Sequence, residues 1–291
     1  MVLDMARLEA LERLVDLKAY NKNYFINSSR IIKDYDLFFL LQYLNHKDRY
    51  SNYPKFNFEK SIKYIENGDE LPLVIIFQGF YEAHISSYYQ EDIELKKLDT
   101  LNETKLDYAF SSFIKNNTNF NYICVKDNFQ SWYTINFDLY LKHIVEFILK
   151  KKPKSVYTVG SSAGGFASIL FGHYVHADKA IAYSPQIVGF YHFMNNYRRQ
   201  LNSLYRLSQL TFTDLSFIQK INYGFNCDVD ITLCKSNSAD LEEFQLLNAN
   251  DYTDITINLI DGSSHNIFEV IDKNKEFNRL VSIIKNRYPV L

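Results

Sequence analysis

The stretch Val156-Tyr157-Thr158-Val159-Gly160-Ser161-Ser162-Ala163-Gly164-Gly165-Phe166 constrains this chain more than any other. An apolar, β-branched run leads straight into Gly-x-Ser-x-Gly. A helical pattern follows, with Phe166, Ile169, Leu170 and Tyr174 on one side. Lys154 to Val159 reads as a buried parallel strand, and Lys179 to Ser184 reads as the next one. Strand, sharp turn, helix, strand is a βαβ unit. The turn has its own chemistry. A serine held on a strand-to-helix elbow points its hydroxyl above the sheet, beside helix N–H groups that stabilise an anion. Glycines two residues either side are needed because a Cβ there meets the neighbouring strand or helix. Only Ser162 fits, flanked by Gly160 and Gly164. Ser161 would need glycines where Val159 and Ala163 stand.

The alternation continues from Leu71 onward. Leu73–Phe77, Tyr122–Val125, Val229–Cys234 and Ile255–Ile260 read as strands. Thr104–Lys115, Asn136–Lys151 and Lys273–Asn286 read as helices, the second stopped by Pro153. Alternating strands and helices predict an α/β fold, a mostly parallel sheet flanked by helices on both faces. With 291 residues the chain holds one such domain, expected over 71–291, and an N-terminal extension over 1–70. In the extension, Ala6–Tyr20 reads as an amphipathic helix, which either packs on its own domain or forms a homodimer. Short strands are expected near Tyr35–Leu41 and Ser61–Ile65. The segment 188–224 breaks the alternation. It carries Phe190, Tyr191, Phe193, Tyr197 and Tyr205, and it is expected to be a helical cap over the strand ends.

Composition narrows the partners. Thirty-two basic against thirty-four acidic side chains leave a net charge of −2, with no long basic run, which argues against nucleic acid. No apolar stretch reaches membrane-spanning length, and the charged start lacks a signal peptide's apolar core. Three cysteines without metal-ligand spacing predict reduced thiols, a cytoplasmic location, and no metal or cofactor. The 23 Tyr and 23 Phe fit either a sugar-stacking surface or AT-rich codon usage.

A serine nucleophile needs a base and an acid. His265 follows the last strand, and Asp240 follows the strand before it. The order Ser, acid, His is the one used on this architecture, so Ser162, Asp240 and His265 are the expected catalytic residues. Glu242, Glu243 and Asp261 compete for the acid's place, and Asp240 is also a good helix N-cap. Two backbone donors are expected to hold the oxyanion. One is the N–H of Ala163; the other is that of Phe80, with Gly79 next. His84, close after Gly79, is expected to line the site.

With these residues in place, the chain resembles the α/β-hydrolases. More narrowly, it resembles bacterial α/β-hydrolase-like proteins of surface-glycan and glycosyltransferase systems, the accessory-secretion O-acetyltransferase-like proteins among them. The resemblance rests on Gly-Ser-Ser-Ala-Gly-Gly-Phe-Ala at Gly160 to Ala167, on Ser184-Pro185-Gln186, on Asp127, and on Trp132-Tyr133. Thr134 departs from the pattern, where Gly often follows, and so does Ser184, where Asn is usual. The resemblance implies a serine esterase acting on O-acyl, chiefly O-acetyl, groups of a glycan or small molecule. An O-acetyltransferase with the same triad, or a non-catalytic module of a glycan assembly, remains open beside it. It also marks Trp132 and Asp127 as substrate-contacting residues. On the residues alone, Trp132 is equally a core side chain and Asp127 a turn cap.

Overall fold

The computed structural model describes residues 61–79, 109–127, 132–133, 137–187, 225–245 and 254–286. The expected N-terminal helix, the strand near Tyr35–Leu41, the cap at 188–224, Phe80 and His84 lie outside the described residues.

Seven strands form one sheet: β1 (Ile62–Ile65), β2 (Leu73–Phe77), β3 (Asn121–Val125), β4 (Val156–Ser161), β5 (Lys179–Tyr183), β6 (Asp228–Cys234) and β7 (Ile255–Ile260). Their spatial order is β1-β3-β2-β4-β5-β6-β7. All neighbours run parallel except β1, which lies antiparallel to β3. The helices are α1 (Ser111–Asn116), α2 (Phe137–Lys151), α3 (Ala163–Tyr174), α4 (Ser238–Gln245) and α5 (Lys273–Asn286). The helix expected from Thr104 begins, within the described residues, only at Ser111. Phe110 stands before it in a left-handed conformation (φ 61°) that no helix continues through.

The continuous apolar strands reflect a sheet buried on both faces. Along β2, Leu73, Ile75 and Phe77 face the core shared with α2 and α3. Val74 and Ile76 face the core shared with α1 and α5. This period-two division is what a strand requires. Every residue of α3 from Ala163 to Gly172 is buried, so this helix is enclosed on all sides rather than amphipathic, with Ser168 its one polar side chain in that stretch. Phe171, on α3, stacks on Phe77 at 4.9 Å and packs against Phe137 at 4.8 Å, which ties α3 to β2 and α2.

After β2 the chain builds β3 on one side, then crosses back to build β4 on the other. The reversal opens a crevice at the carboxyl ends of β2 and β4, where open α/β sheets place ligands.

Candidate active site

Ser162 stands at that crevice, between the end of β4 and the start of α3. Its backbone adopts φ 58° and ψ −123°, a sparsely populated region costing about 1–3 kcal/mol. Neighbouring backbone holds the strain. Its N–H donates to the Tyr183 carbonyl at 2.8 Å, and its carbonyl accepts from Phe166 N–H at 3.0 Å. The two flanking glycines are required by close approach. A Cβ on Gly160 would sit 2.0 Å from the Gly164 carbonyl oxygen, and one on Gly164 would sit 2.3 Å from that of Phe77. Although Ser162 occupies the helix N-cap position, its hydroxyl makes no capping bond. It points instead at His265.

The Ser162 Oγ lies 2.9 Å from His265 Nε2, and His265 Nδ1 lies 2.7 Å from Asp240 Oδ1. The structure thus joins the three residues expected from sequence into one hydrogen-bonded chain, drawn from the ends of β4, β6 and β7. The Asp240 carboxylate is 8% exposed and the His265 side chain 38%. The hydrogen bond to Asp240 raises the His265 pKa above its ordinary value. The charges of Asp240 and Glu243 add to this, and burial opposes it. A carboxylate on Nδ1–H fixes the tautomer whose bare Nε2 can take the serine proton.

Two of the alternative acids, Asp261 and Glu242, face solvent. Asp261 is 94% exposed and pairs with Lys235 at 2.9 Å. Nor is Asp240 the N-cap of its helix. It is the third residue of α4, and Asn237 is the cap, its Oδ1 accepting the Asp240 N–H at 3.2 Å. Asn237 Nδ2 also donates to Asp240 Oδ2 at 3.0 Å, so both carboxylate oxygens are held.

Ala163 is the first residue of α3, so its N–H has no intrahelical acceptor and lies directly after Ser162. Gly79 sits against Ser161 and Ser162 at the elbow. A Cβ there would approach Ser161 O at 2.9 Å and Ser162 Cβ at 3.7 Å. Trp132 and Asp127 are buried, at 1% and 5% exposure. Asp127 Oδ2 accepts the Tyr133 N–H at 2.9 Å, and Tyr133 Oη donates to the Gln78 carbonyl at 2.8 Å, fixing the chain beside Gly79. The Trp132 ring N–H donates to Gln186 Oε1 at 2.7 Å.

Sequence reasoning set no place beside Ser162 or Asp240 for two residues that the structure puts there, Gln186 and Asn237. Gln186 Oε1 lies 3.1 Å from Ser162 Oγ. Its place follows from the Ser184-Pro185 turn after β5. Ser184 is left-handed (φ 39°), which brings the chain back over α3 until Gln186 N–H reaches the Ser162 carbonyl at 3.3 Å. Asn237 was legible as an Asn three residues before an acid at a helix start.

Cys124, Cys227 and Cys234 are buried, and Cys234 lies within electrostatic reach of Asp240. His143 and His173 lie on helices, and His176 falls just past the end of α3 with φ 50°. Among the described residues no cluster of three or more His, Cys, Asp or Glu is placed to hold a metal, and no helix is long and apolar enough to cross a membrane.

No protein-family model matches this sequence, and neither does any curated protein sequence. Solved structures do. The capsule O-acetyltransferase of Neisseria meningitidis serogroup A, as a mutant in complex with CoA, superposes with a TM-score of 0.55 at 19% identity, over 77% of this chain and 91% of that one. The same enzyme without that ligand gives 0.53 at 18% identity, over 77% of this chain and 92% of that one. A glycosylation associate protein complex from Streptococcus agalactiae gives 0.52 at 14% identity, over 78% of this chain but 44% of that one. The likeness at these identities is one of fold. Together with the strand order and the glycine-flanked serine elbow, it identifies this chain as having the α/β-hydrolase fold.

Proposed function

We propose that the protein is a serine-dependent esterase that removes O-acyl groups, chiefly acetyl, from a glycan. The observation that carries this reading is the unbroken Ser162–His265–Asp240 chain, at 2.9 and 2.7 Å, at the switch point of the sheet. In the first step His265 Nε2 takes the Ser162 proton as Oγ attacks the acyl carbonyl. His265 then returns that proton to the departing alkoxide. The tetrahedral oxyanion is held by the Ala163 N–H and by backbone N–H at Gly79 or Phe80. In the second step water attacks the acyl-enzyme with His265 again as base, and the acid leaves Ser162 free.

A second reading keeps every residue and changes the acceptor: a sugar hydroxyl replaces water, which makes an O-acetyltransferase. The fold likeness to a capsule O-acetyltransferase favours considering it. The deciding experiment incubates the protein with O-acetylated sugars, and separately with p-nitrophenyl acetate plus sugar acceptors, and follows free acetate and acetyl-sugar by NMR. Free acetate as the dominant product supports the esterase; acetyl-sugar supports the transferase. Absence of both, with no acyl-enzyme, leaves a non-catalytic module.

A further inference from the structure

We propose that Gln186, anchored by Trp132, is a positioning residue that orients the attacking water and so biases the acyl-enzyme toward hydrolysis. This rests on the acyl-enzyme reading above. The indole N–H is a donor only, so its 2.7 Å contact fixes which end of the Gln186 amide faces the site: the carbonyl oxygen. One lone pair of Oε1 is taken by Trp132. The other faces Ser162 Oγ at 3.1 Å. His265 Nε2 faces the same oxygen at 2.9 Å. Two acceptors therefore converge on one hydroxyl that has a single proton to give.

Acylation changes this balance. Ser162 Oγ becomes an ester oxygen without a proton, and Gln186 Oε1 loses its serine donor. Oε1 keeps the Trp132 N–H on one lone pair, and the lone pair released by Ser162 is then open to another donor. Water has two protons. One goes to His265 Nε2 as the water oxygen bonds to the acyl carbon. The other stays on that oxygen, hydrogen-bonded to Gln186 Oε1. The C–Oγ bond then breaks, His265 returns its proton to Oγ, and the carboxylic acid leaves. A simple alcohol gives its only proton to His265 and has none for Gln186.

The test is partitioning of the acyl-enzyme between water and methanol, with p-nitrophenyl acetate as donor and acetate and methyl acetate measured in the same tube. The ratio is internal to each sample, so it does not depend on how much protein is folded. Gln186→Met keeps the length and removes the strong acceptor. It is expected to lower the water-to-methanol ratio by about threefold to tenfold, the weight of one neutral hydrogen bond. Trp132→Phe, which keeps an aromatic ring but removes the anchoring N–H together with the pyrrole part of the indole, is expected to lower it in the same direction. Gln186→Glu keeps an acceptor and is expected to hold the ratio near the wild-type value. If Gln186→Met does not fold, Trp132→Phe decides. An unchanged ratio with a normal wild-type acylation burst overturns this proposal alone. A wild type that shows no burst overturns the acyl-enzyme reading and this proposal with it.

Discussion

Asp240→Asn replaces one carboxylate oxygen with an NH₂ group, and the neighbouring hydrogen bonds decide where that group goes. Asn237 Oδ1 is occupied by the Asp240 N–H at 3.2 Å, which turns Asn237 Nδ2 toward the carboxylate at 3.0 Å. That donor requires an oxygen opposite it. The introduced amide therefore places its oxygen on Asn237 and its NH₂ on His265 Nδ1, which lies 2.7 Å from the carboxylate in the wild type. An NH₂ facing Nδ1 forces the Nε2–H tautomer, and His265 can no longer take the serine proton. Loss of a triad acid through the wrong tautomer lowers turnover by about 10⁴-fold, equivalent to about 5 kcal/mol of barrier. Adding Asn237→Asp supplies an acceptor for the NH₂ and lets the amide oxygen turn to Nδ1–H. Recovery of at least about tenfold is expected, the lower end for one strong hydrogen bond. The assay is steady-state hydrolysis of p-nitrophenyl acetate with circular dichroism as the folding control. Asp240→Asn within about tenfold of wild type would refute the tautomer reasoning, and so would a double variant no better than the single.

Gly160→Ala would set a Cβ 2.0 Å from the Gly164 oxygen, where an ordinary C···O contact is about 3.3 Å. The elbow must open by roughly 1 Å, and fluorophosphonate labelling should slow by about 10²-fold; labelling at the wild-type rate contradicts this. Because Asp240 holds the His265 pKa above its ordinary value, folding binds the imidazole proton. The resulting stabilisation is fully present below about pH 6.5 and is lost as pH rises through the folded pKa. The melting-temperature gap between wild type and Asp240→Asn should therefore widen at acid pH and narrow at alkaline pH, and a gap of the opposite trend would defeat the assignment. Arg279 pairs with Asp230 at 3.2 Å and Glu276 at 2.7 Å, where these acids are 7% and 13% exposed. Arg279→Met leaves both carboxylates without a counter-charge, although Asn258 Nδ2 still donates to Asp230 and Tyr183 Oη to Glu276. Urea unfolding should show a loss of about 3 kcal/mol, the low end for a buried pair because Arg279 is itself a third exposed; a loss within about 0.5 kcal/mol would place the cluster among inert surface pairs.

The sheet was legible because both its faces are buried. Leu73–Phe77 and Ile255–Ile260 are strands over the expected residues, and Lys273–Asn286 is a helix over the expected residues. Ends were less legible. The strand expected to stop at Val159 continues to Ser161, because pairing with Tyr183 carries it into the elbow. The antiparallel direction of β1 left no trace in its four residues, since direction is set by the partner rather than by local pattern. Ser162 was legible from its two glycines, and His265 and Asp240 from their places after β7 and β6. Gln186 was not, because its position depends on a left-handed turn at Ser184 and on Trp132 reaching it from 54 residues away. Asp240 as a helix cap was a sound local reading that lost to Asn237 one turn earlier, which left the carboxylate for His265.

Intact-mass analysis after incubation with a fluorophosphonate probe, followed by peptide mapping, tests the central claim most directly. The protein is expected to gain one adduct, on Ser162. The adduct should disappear in Ser162→Ala, remain in Ser161→Ala, and form far more slowly in His265→Ala. An adduct that persists in a folded Ser162→Ala, or a folded wild type that gains none, would contradict the account.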